Sequence, residues 1–333
     1  MDYTIRFATK EDIEAIMLFI DRCWRKDHIL ARDRELFEWQ YGGADERVNI
    51  VLGLDENGNI QGMLGFITYD DTKDKDIALA LWKANPNTGF LGVKLIQYLI
   101  KNEPHREIVC PGVNPDTTSK IYGYVGMKVV TMSQWYRLAS DRSYSIAKVE
   151  DERIPGHYDD GCNWKVKLID SEEQLVYAYN RLQAYGREHV PFKSISYILK
   201  RYFEHPIYKY QLYTLCDEHD DISALIVLRV QECNGSRALR MIDIIGNADA
   251  MKSATAALDE LLIKLDCEYI DVFQSGIKDK TLYDGGWLKV DGSSNIIPEY
   301  FAPYEQKNIQ IHYSTSNMSA ILFKGDGDQD RPN

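Results

Sequence analysis

The chain has 333 residues, enough for two domains of roughly 150 residues each. With 44% hydrophobic and 27% charged residues, disorder over most of the length is excluded. A net charge of −12 with no basic segment makes nucleic acid a poor partner, because an acidic chain repels a phosphate backbone.

Residues 3–7 alternate as a strand, and Thr9 with Asp12 forms a near capping box for a helix apolar at Ile13, Ile16, Met17, Ile20 and Cys23. Residues 25–46 read as a polar, aromatic-rich loop with one short helix. Strands are expected over 48–54 and 60–69, joined by the Asn-Gly turn of DENGN, and over 77–83. After a further strand at 107–111 come a helix over about 117–125 and a strand over 129–138. Residues 139–160 lose apolar periodicity and read as a linker. A second series follows: a strand at 164–169, helices over 171–185 and 192–203, strands at 208–216, 224–231 and 238–245, a helix over 248–265 and a strand at 269–273. Its order repeats that of the first half, which points to a diverged internal duplication. The polar end DGDQDRPN reads as a loose terminus.

The six cysteines have no CxxC or zinc-type spacing, so we expect free thiols, no metal and a reducing, cytoplasmic setting. The polar N-terminal stretch has no apolar signal core, and no run reaches the ~18 apolar residues of a membrane span.

The segment from Leu79 to Met127 carries the most information. A short apolar strand enters the turn NPNTGFLG, which opens an amphipathic helix. The unpaired N–H groups and the dipole at such a helix start form an anion site without a basic side chain. About thirty residues on, Tyr122 stands in IYGYVGM. A pyrophosphate cradle followed by a placed tyrosine hydroxyl suggests acyl transfer from a coenzyme A-type donor.

Residues 3–138 resemble the GCN5-related N-acetyltransferase (GNAT) family. IRFATKEDIEAI is similar to the family's first strand and helix, and IYGYVGM to its LYxxxGF signature, with Met127 in place of Phe. The family's phosphate loop, Q/R-x-x-G-x-G/A, aligns with Asn87, Thr88, Gly89, Phe90, Leu91 and Gly92, of which Gly92 matches while Asn87 and Phe90 depart from it. The second half resembles the family more weakly: LYDGGW at 282–287 is one residue short of the signature and no phosphate loop is visible. The resemblance implies an α/β (α+β) fold of two GNAT-like domains, each a mixed, mostly antiparallel twisted sheet flanked by helices. The expected boundaries are 1–139 for the catalytic domain, 140–160 for the linker and 161–333 for a diverged domain contributing to the acceptor site.

By resemblance, acetyl-CoA or another acyl-CoA is the co-substrate, held by residues 87–92, by the strand edge of Trp82, Lys83 and Ala84, and by Asn114. Tyr122 would be the general acid. The expected acceptor loop holds Trp24, Arg32, Trp39 and His28, the last as a base because imidazole titrates near neutrality. In the second half, Asp243 and Asp271 sit in apolar strands and are expected to bind acceptor polar groups. VGMKVVTMSQWYR resembles GNAT members associated with surface-polysaccharide (O-antigen) sugars. The reaction expected is therefore acetylation of a nucleotide-linked amino sugar by a monomer or homodimer. An aminoacyl or peptidyl transferase of tandem-GNAT type and a non-catalytic binding module stay open as alternatives.

Overall fold

The computed structural model describes residues 2–140 and 142–332. They form two compact units, one of residues 2–129, 313–318 and 327–332, the other of residues 130–312 (without 141) and 319–326. The units divide after residue 129, where the sequence reading places the first boundary at 139, and both include residues from 313 onward.

In the first unit, β1 (Thr4–Thr9), β2 (Arg47–Leu54), β3 (Ile60–Thr68), β4 (Ile77–Ala84) and β5 (Ile108–Val113) lie side by side in chain order. The first three pairings are antiparallel, and β4 runs parallel to β5. The turn between β2 and β3 forms as its sequence predicts: Asp55 Oδ1 accepts from the backbone N–H of Asn57 and Asn59, both at 2.9 Å. Strand periodicity sends Ile50 and Leu52 to one face and Val51 to the other. On the first face pack α1 (Ile13–Phe19), α2 (Ile29–Arg32) and α3 (Arg34–Tyr41) through Ile16, Leu30, Phe37 and Tyr41. On the second lie α4 (Leu91–Asn102), through Leu91, Leu95 and Leu99, and Tyr122 of α5 (Ser119–Tyr124). Where one short helix was expected in 25–46, there are two, because Asp33 stops α2 and caps α3 by accepting from Leu36 N at 2.9 Å.

The β4/β5 pair sets up the site. Its parallel register is confined to Ile77 with Ile108 and Ala78 with Val109. Beyond that point the strands part. β4 itself is irregular there: its register with β3 slips, and Leu81 takes φ of +47°. A residue with a Cβ in that conformation marks a bulge that re-aims the chain. The end of the sequence, expected to be loose, is instead buried. A Cβ on Gly327 would lie 3.3 Å from Ala78 Cβ and 3.4 Å from Pro111 Cδ, so this residue sits between β4 and β5 where they separate.

The second unit takes most of β6 (Lys128–Leu138). Its further elements are β7 (Lys165–Ile169), α6 (Glu172–Asn180), α7 (Ile195–Ile198), β8 (Gln211–Cys216), β9 (Ile222–Cys233), β10 (Ser236–Gly246), α8 (Thr255–Lys264), β11 (Tyr269–Ser275), α9 (Asp279–Asp284) and the short β12 (Leu288–Lys289). The strand order is β7-β8-β9-β10-β11-β6, with only β10 and β11 parallel. This repeats the pairing sense of β1 to β5. β10 and β11 also share a short register, from Leu239 to Met241, before a bulge at Met241/Asp243. A small ribbon of β13 (Tyr300–Phe301) and β14 (Tyr304–Glu305) precedes β15 (Ile311–Thr315) and β16 (Leu322–Phe323). β16 pairs with β11 at Gln274 and Ser275, and Gly325 N donates to Ile242 O of β10 at 2.7 Å. The opening between β10 and β11 is therefore closed by the chain itself.

Residues 139–160 are not a free linker. The buried Glu268 carboxylate accepts from the backbone N–H of Ser145, Ile146 and Ala147, at 2.5 to 3.1 Å, and Ile146 and Ala147 are buried beside Tyr269 and Ile297. The segment lacks periodicity because a side chain, rather than a ladder, satisfies its amides. The helix expected over 192–203 starts only at Ile195, capped by Ser194, while Phe192 stacks on Tyr185 with centroids 5.5 Å apart.

Candidate functional site

The turn after β4 owes its shape to two left-handed residues, Asn87 at φ +65° and Gly89 at φ +62°. Asn and Gly are the residue types that tolerate this conformation. Space around the Gly89 Cβ position is empty, so this glycine serves the backbone angle rather than packing. Thr88 Oγ1 donates to Asn85 O at 2.7 Å and ties the turn to its own start. Phe90, at the N-cap of the 12-residue α4, makes no capping hydrogen bond and is 80% exposed. The first amides of α4 thus lack a side-chain cap, as an anion site requires.

Trp82 links this turn to Tyr122. A Cβ on Gly92 would lie 3.6 Å from Trp82 Nε1, and the Trp82 ring meets the Tyr122 ring edge to face at 5.2 Å. Lys83 and Ala84 continue the strand edge, half-buried. Tyr122 is 2% exposed, and its hydroxyl lies 2.9 Å from Cys110 Sγ. Burial pushes the phenol well above its ordinary range, and pushes the Cys110 thiol up to about 12, so both keep their protons. Leu91 is buried under the sheet, whereas Asn114 is exposed and its Oδ1 accepts from Asp116 N at 3.0 Å in a local turn.

On the other side of the unit, the Trp24 and His28 rings pack at 4.8 Å. Arg32 is exposed on α2, and Trp39 packs against the α1–α3 core. His28 departs from its expected role as a base. Its Nδ1 accepts from Leu30 N at 3.2 Å as the cap of α2, so the neutral ring carries its proton on Nε2. Burial, then the Arg331 and Arg25 guanidiniums, pull its pKa down to about 4, against an opposing pull from Asp328. The ring is therefore neutral at physiological pH and offers an N–H, not a lone pair. That Nε2 is buried without a hydrogen-bond partner.

Asp243 and Asp271, expected to bind acceptor polar groups, are each engaged by buried side chains of this unit. Asp243 is enclosed by Lys193 Nζ at 2.5 Å and Tyr202 Oη at 2.6 Å. Lys193 also meets Asp326 at 2.9 Å, and burial with this second carboxylate pushes Asp243 up to about 6. Asp271 is held by Arg240 and by Gln134 Nε2, while Arg240 also binds Glu299. Such strand-borne charges are ion pairs of a core. Likewise His205, Tyr208 and Tyr210 pack on one another, with Arg229 4.2 Å from the Tyr208 ring.

The sequence reading missed Cys110 as the partner of Tyr122, the bulge at Leu81, and the entry of residues 327–332 into the site. Only the first had a signal, a cysteine in the strand leading to the tyrosine helix.

No family model and no curated protein matches the sequence. Solved structures do match. A GCN5-related N-acetyltransferase from Anabaena variabilis aligns with TM-score 0.57 at 11% identity, over 94% of this chain and 72% of that one. A probable N-acyltransferase from Enterococcus faecalis aligns with TM-score 0.56 at 9% identity over the same shares. A glucosamine N-acetyltransferase region of a fungal multi-domain β-N-acetylglucosaminidase aligns with TM-score 0.52 at 11% identity, over 94% of this chain and 38% of that one. The fold is thus that of the GCN5-related N-acetyltransferases: a mostly antiparallel sheet flanked by helices, with one parallel pair in each unit. Among the described residues no helix is long and apolar enough to cross a membrane, and no group of three or more His, Cys, Asp or Glu could hold a metal.

Proposed function

We propose that the protein is an acyl-CoA-dependent N-acyltransferase, and that its first unit carries the chemistry. The observation that carries this reading is the parting of β4 from β5 after Ala78, with the uncapped turn 87–92 on one side and Tyr122 on the other. The β4 edge at Trp82, Lys83 and Ala84 has no register with β5 and suits an extended amide-bearing arm, while the α4 amides suit a pyrophosphate. An amine attacks the acyl carbon, the C–N bond forms and the C–S bond breaks. The leaving thiolate takes a proton from Tyr122, whose hydroxyl lies 2.9 Å from Cys110 Sγ on β5.

The second unit reads as a tandem copy that lost the donor site, since β16 and Gly325 fill the place between β10 and β11. For the acceptor, the finer reading is the amine of a nucleotide-linked amino sugar, acetylated for a surface polysaccharide. The aromatic acceptor loop with Trp24 supports it, as does the fold shared with a glucosamine N-acetyltransferase region. Calorimetric titration with acetyl-CoA tests the donor. Binding at micromolar concentration is expected, and no heat of binding would refute the reading.

A further inference from the structure

We propose that Asp328 is a catalytic residue of the first unit: it holds the acceptor amine and takes up the proton that leaves nitrogen as the C–N bond forms. This rests on the acyltransfer reading above. Its neighbours in sequence fix where Asp328 lies. Gly327 sits between Ala78 of β4 and Pro111 of β5. A Cβ on Gly112 would collide with Gln329 Oε1, so Gln329 lies against the next residue of β5. Arg331 places its guanidinium 5.6 Å from the Trp24 ring, and its Nη1 is paired with one oxygen of Asp328. Asp328 is thereby bracketed between the β5 residues beside Cys110 and the Trp24–His28 pair. Its charge is felt at both Cys110 and His28. Cys110 in turn touches the Tyr122 hydroxyl at 2.9 Å.

A second, independent observation points to a ligand here. His28 is 3% exposed, and its Nε2–H has no partner. A buried donor left unpaired is costly, and an acceptor molecule with an oxygen near its amine would satisfy it. The arrangement thus offers a neutral N–H for a hydroxyl or phosphate oxygen, a carboxylate for the amine, and a phenol for the departing sulfur.

The proton balance follows. An ammonium attracted by Asp328 first loses one proton to solvent. As the free amine attacks, its nitrogen becomes strongly acidic, and the second proton passes to the Asp328 carboxylate. Tyr122 protonates the thiolate and is reprotonated from solvent, to which Asp328 releases its proton. One thioester and one ammonium give one amide, one thiol and one proton.

The test is thiol release from acetyl-CoA with glucosamine and UDP-glucosamine as acceptors, for the wild type, Asp328→Asn and Asp328→Ala. Asparagine keeps a partner for Arg331, so a wild-type melting temperature for Asp328→Asn shows that folding is intact. We expect kcat to fall about 100-fold or more in both variants with KM for acetyl-CoA unchanged, the scale of a lost general base. Formate added to Asp328→Ala is expected to restore turnover at least 5-fold, which a merely structural role would not allow. Wild-type turnover in Asp328→Asn, or no response of Asp328→Ala to formate, would overturn the proposal while leaving the acyltransfer reading in place. No thiol release by the wild type with either acceptor would overturn both.

Discussion

Replacing His28 with Asn tests the electrostatics of the acceptor side in a way that needs no substrate. Asparagine is a good helix N-cap, so its side-chain oxygen can replace Nδ1 as the acceptor for Leu30 N. What the variant removes is the titrating group. His28 in the folded chain has its pKa drawn from 6.5 down to about 4. Below pH 6.5 the unfolded chain takes up a proton here that the folded chain refuses. The native ring therefore adds stability that is full above pH 6.5 and is lost as pH falls toward 4. At about 1.4 kcal/mol per pH unit, the loss over that window is about 3 kcal/mol. For a unit of this size that corresponds to an apparent melting shift of roughly 6 to 12 °C. The assay is thermal unfolding of the wild type and His28→Asn at half-unit steps from pH 4 to 8. The wild-type curve should fall more steeply than that of the variant between pH 6.5 and 4, and run parallel to it above pH 7. Parallel curves throughout would show that His28 titrates normally, and would remove the argument that its neutral Nε2–H faces the acceptor.

Tyr122→Phe keeps the contact with Trp82 and removes the hydroxyl. We expect kcat to fall about 100-fold with acetyl-CoA affinity unchanged, and unaltered turnover would exclude Tyr122 as the acid. Lys193→Met strips the ammonium from Asp243 and Asp326, both fully buried. The second unit should lose about 3–5 kcal/mol, read by urea unfolding, and a loss below about 1 kcal/mol would show that the two carboxylates pair elsewhere. Glu268→Ala leaves three backbone N–H groups unpaired and should expose the 144–147 segment to limited proteolysis, whereas unchanged digestion would show that the carboxylate is dispensable. Gly89→Ala forces a Cβ into φ +62° where there is space for it, so stability should fall by only about 1 kcal/mol while acetyl-CoA binding weakens, as calorimetry would show.

Local signals in this sequence were faithful where one residue controls the outcome. Ser171 caps its helix by accepting from Gln174 N at 3.2 Å, and DENGN turns as written. The turn at 87–92 and the helix that carries Tyr122 could be placed because strand, turn and helix follow one another closely in the chain. What stayed hidden depends on contacts distant in sequence. Nothing in SYSIA, residues 143–147, announces that Glu268 will order it. Asp243 and Asp271 looked like ligand-binding carboxylates because a strand-borne charge is costly, and Lys193 and Arg240, which neutralise them, come from 50 and 31 residues away. The aspartates after Lys324 read as a solvated tail, since composition reports average polarity and not the few partners that make burial tolerable.

The interleaving of the two units carries a consequence for how the protein folds. The first is made of residues 2–129 together with 313–318 and 327–332, and Ser316 N bonds to Ile108 O at 3.0 Å across more than two hundred residues. Its sheet cannot be finished when residue 129 leaves the ribosome. It must wait, part-built, while nearly the whole of the second unit is synthesised. Loops of that length close slowly, so the nascent chain holds an open strand edge at β5 through most of translation, the kind of surface on which chaperones act. A fragment cut after residue 139 would keep that edge permanently, and should associate or be degraded rather than behave as an autonomous domain.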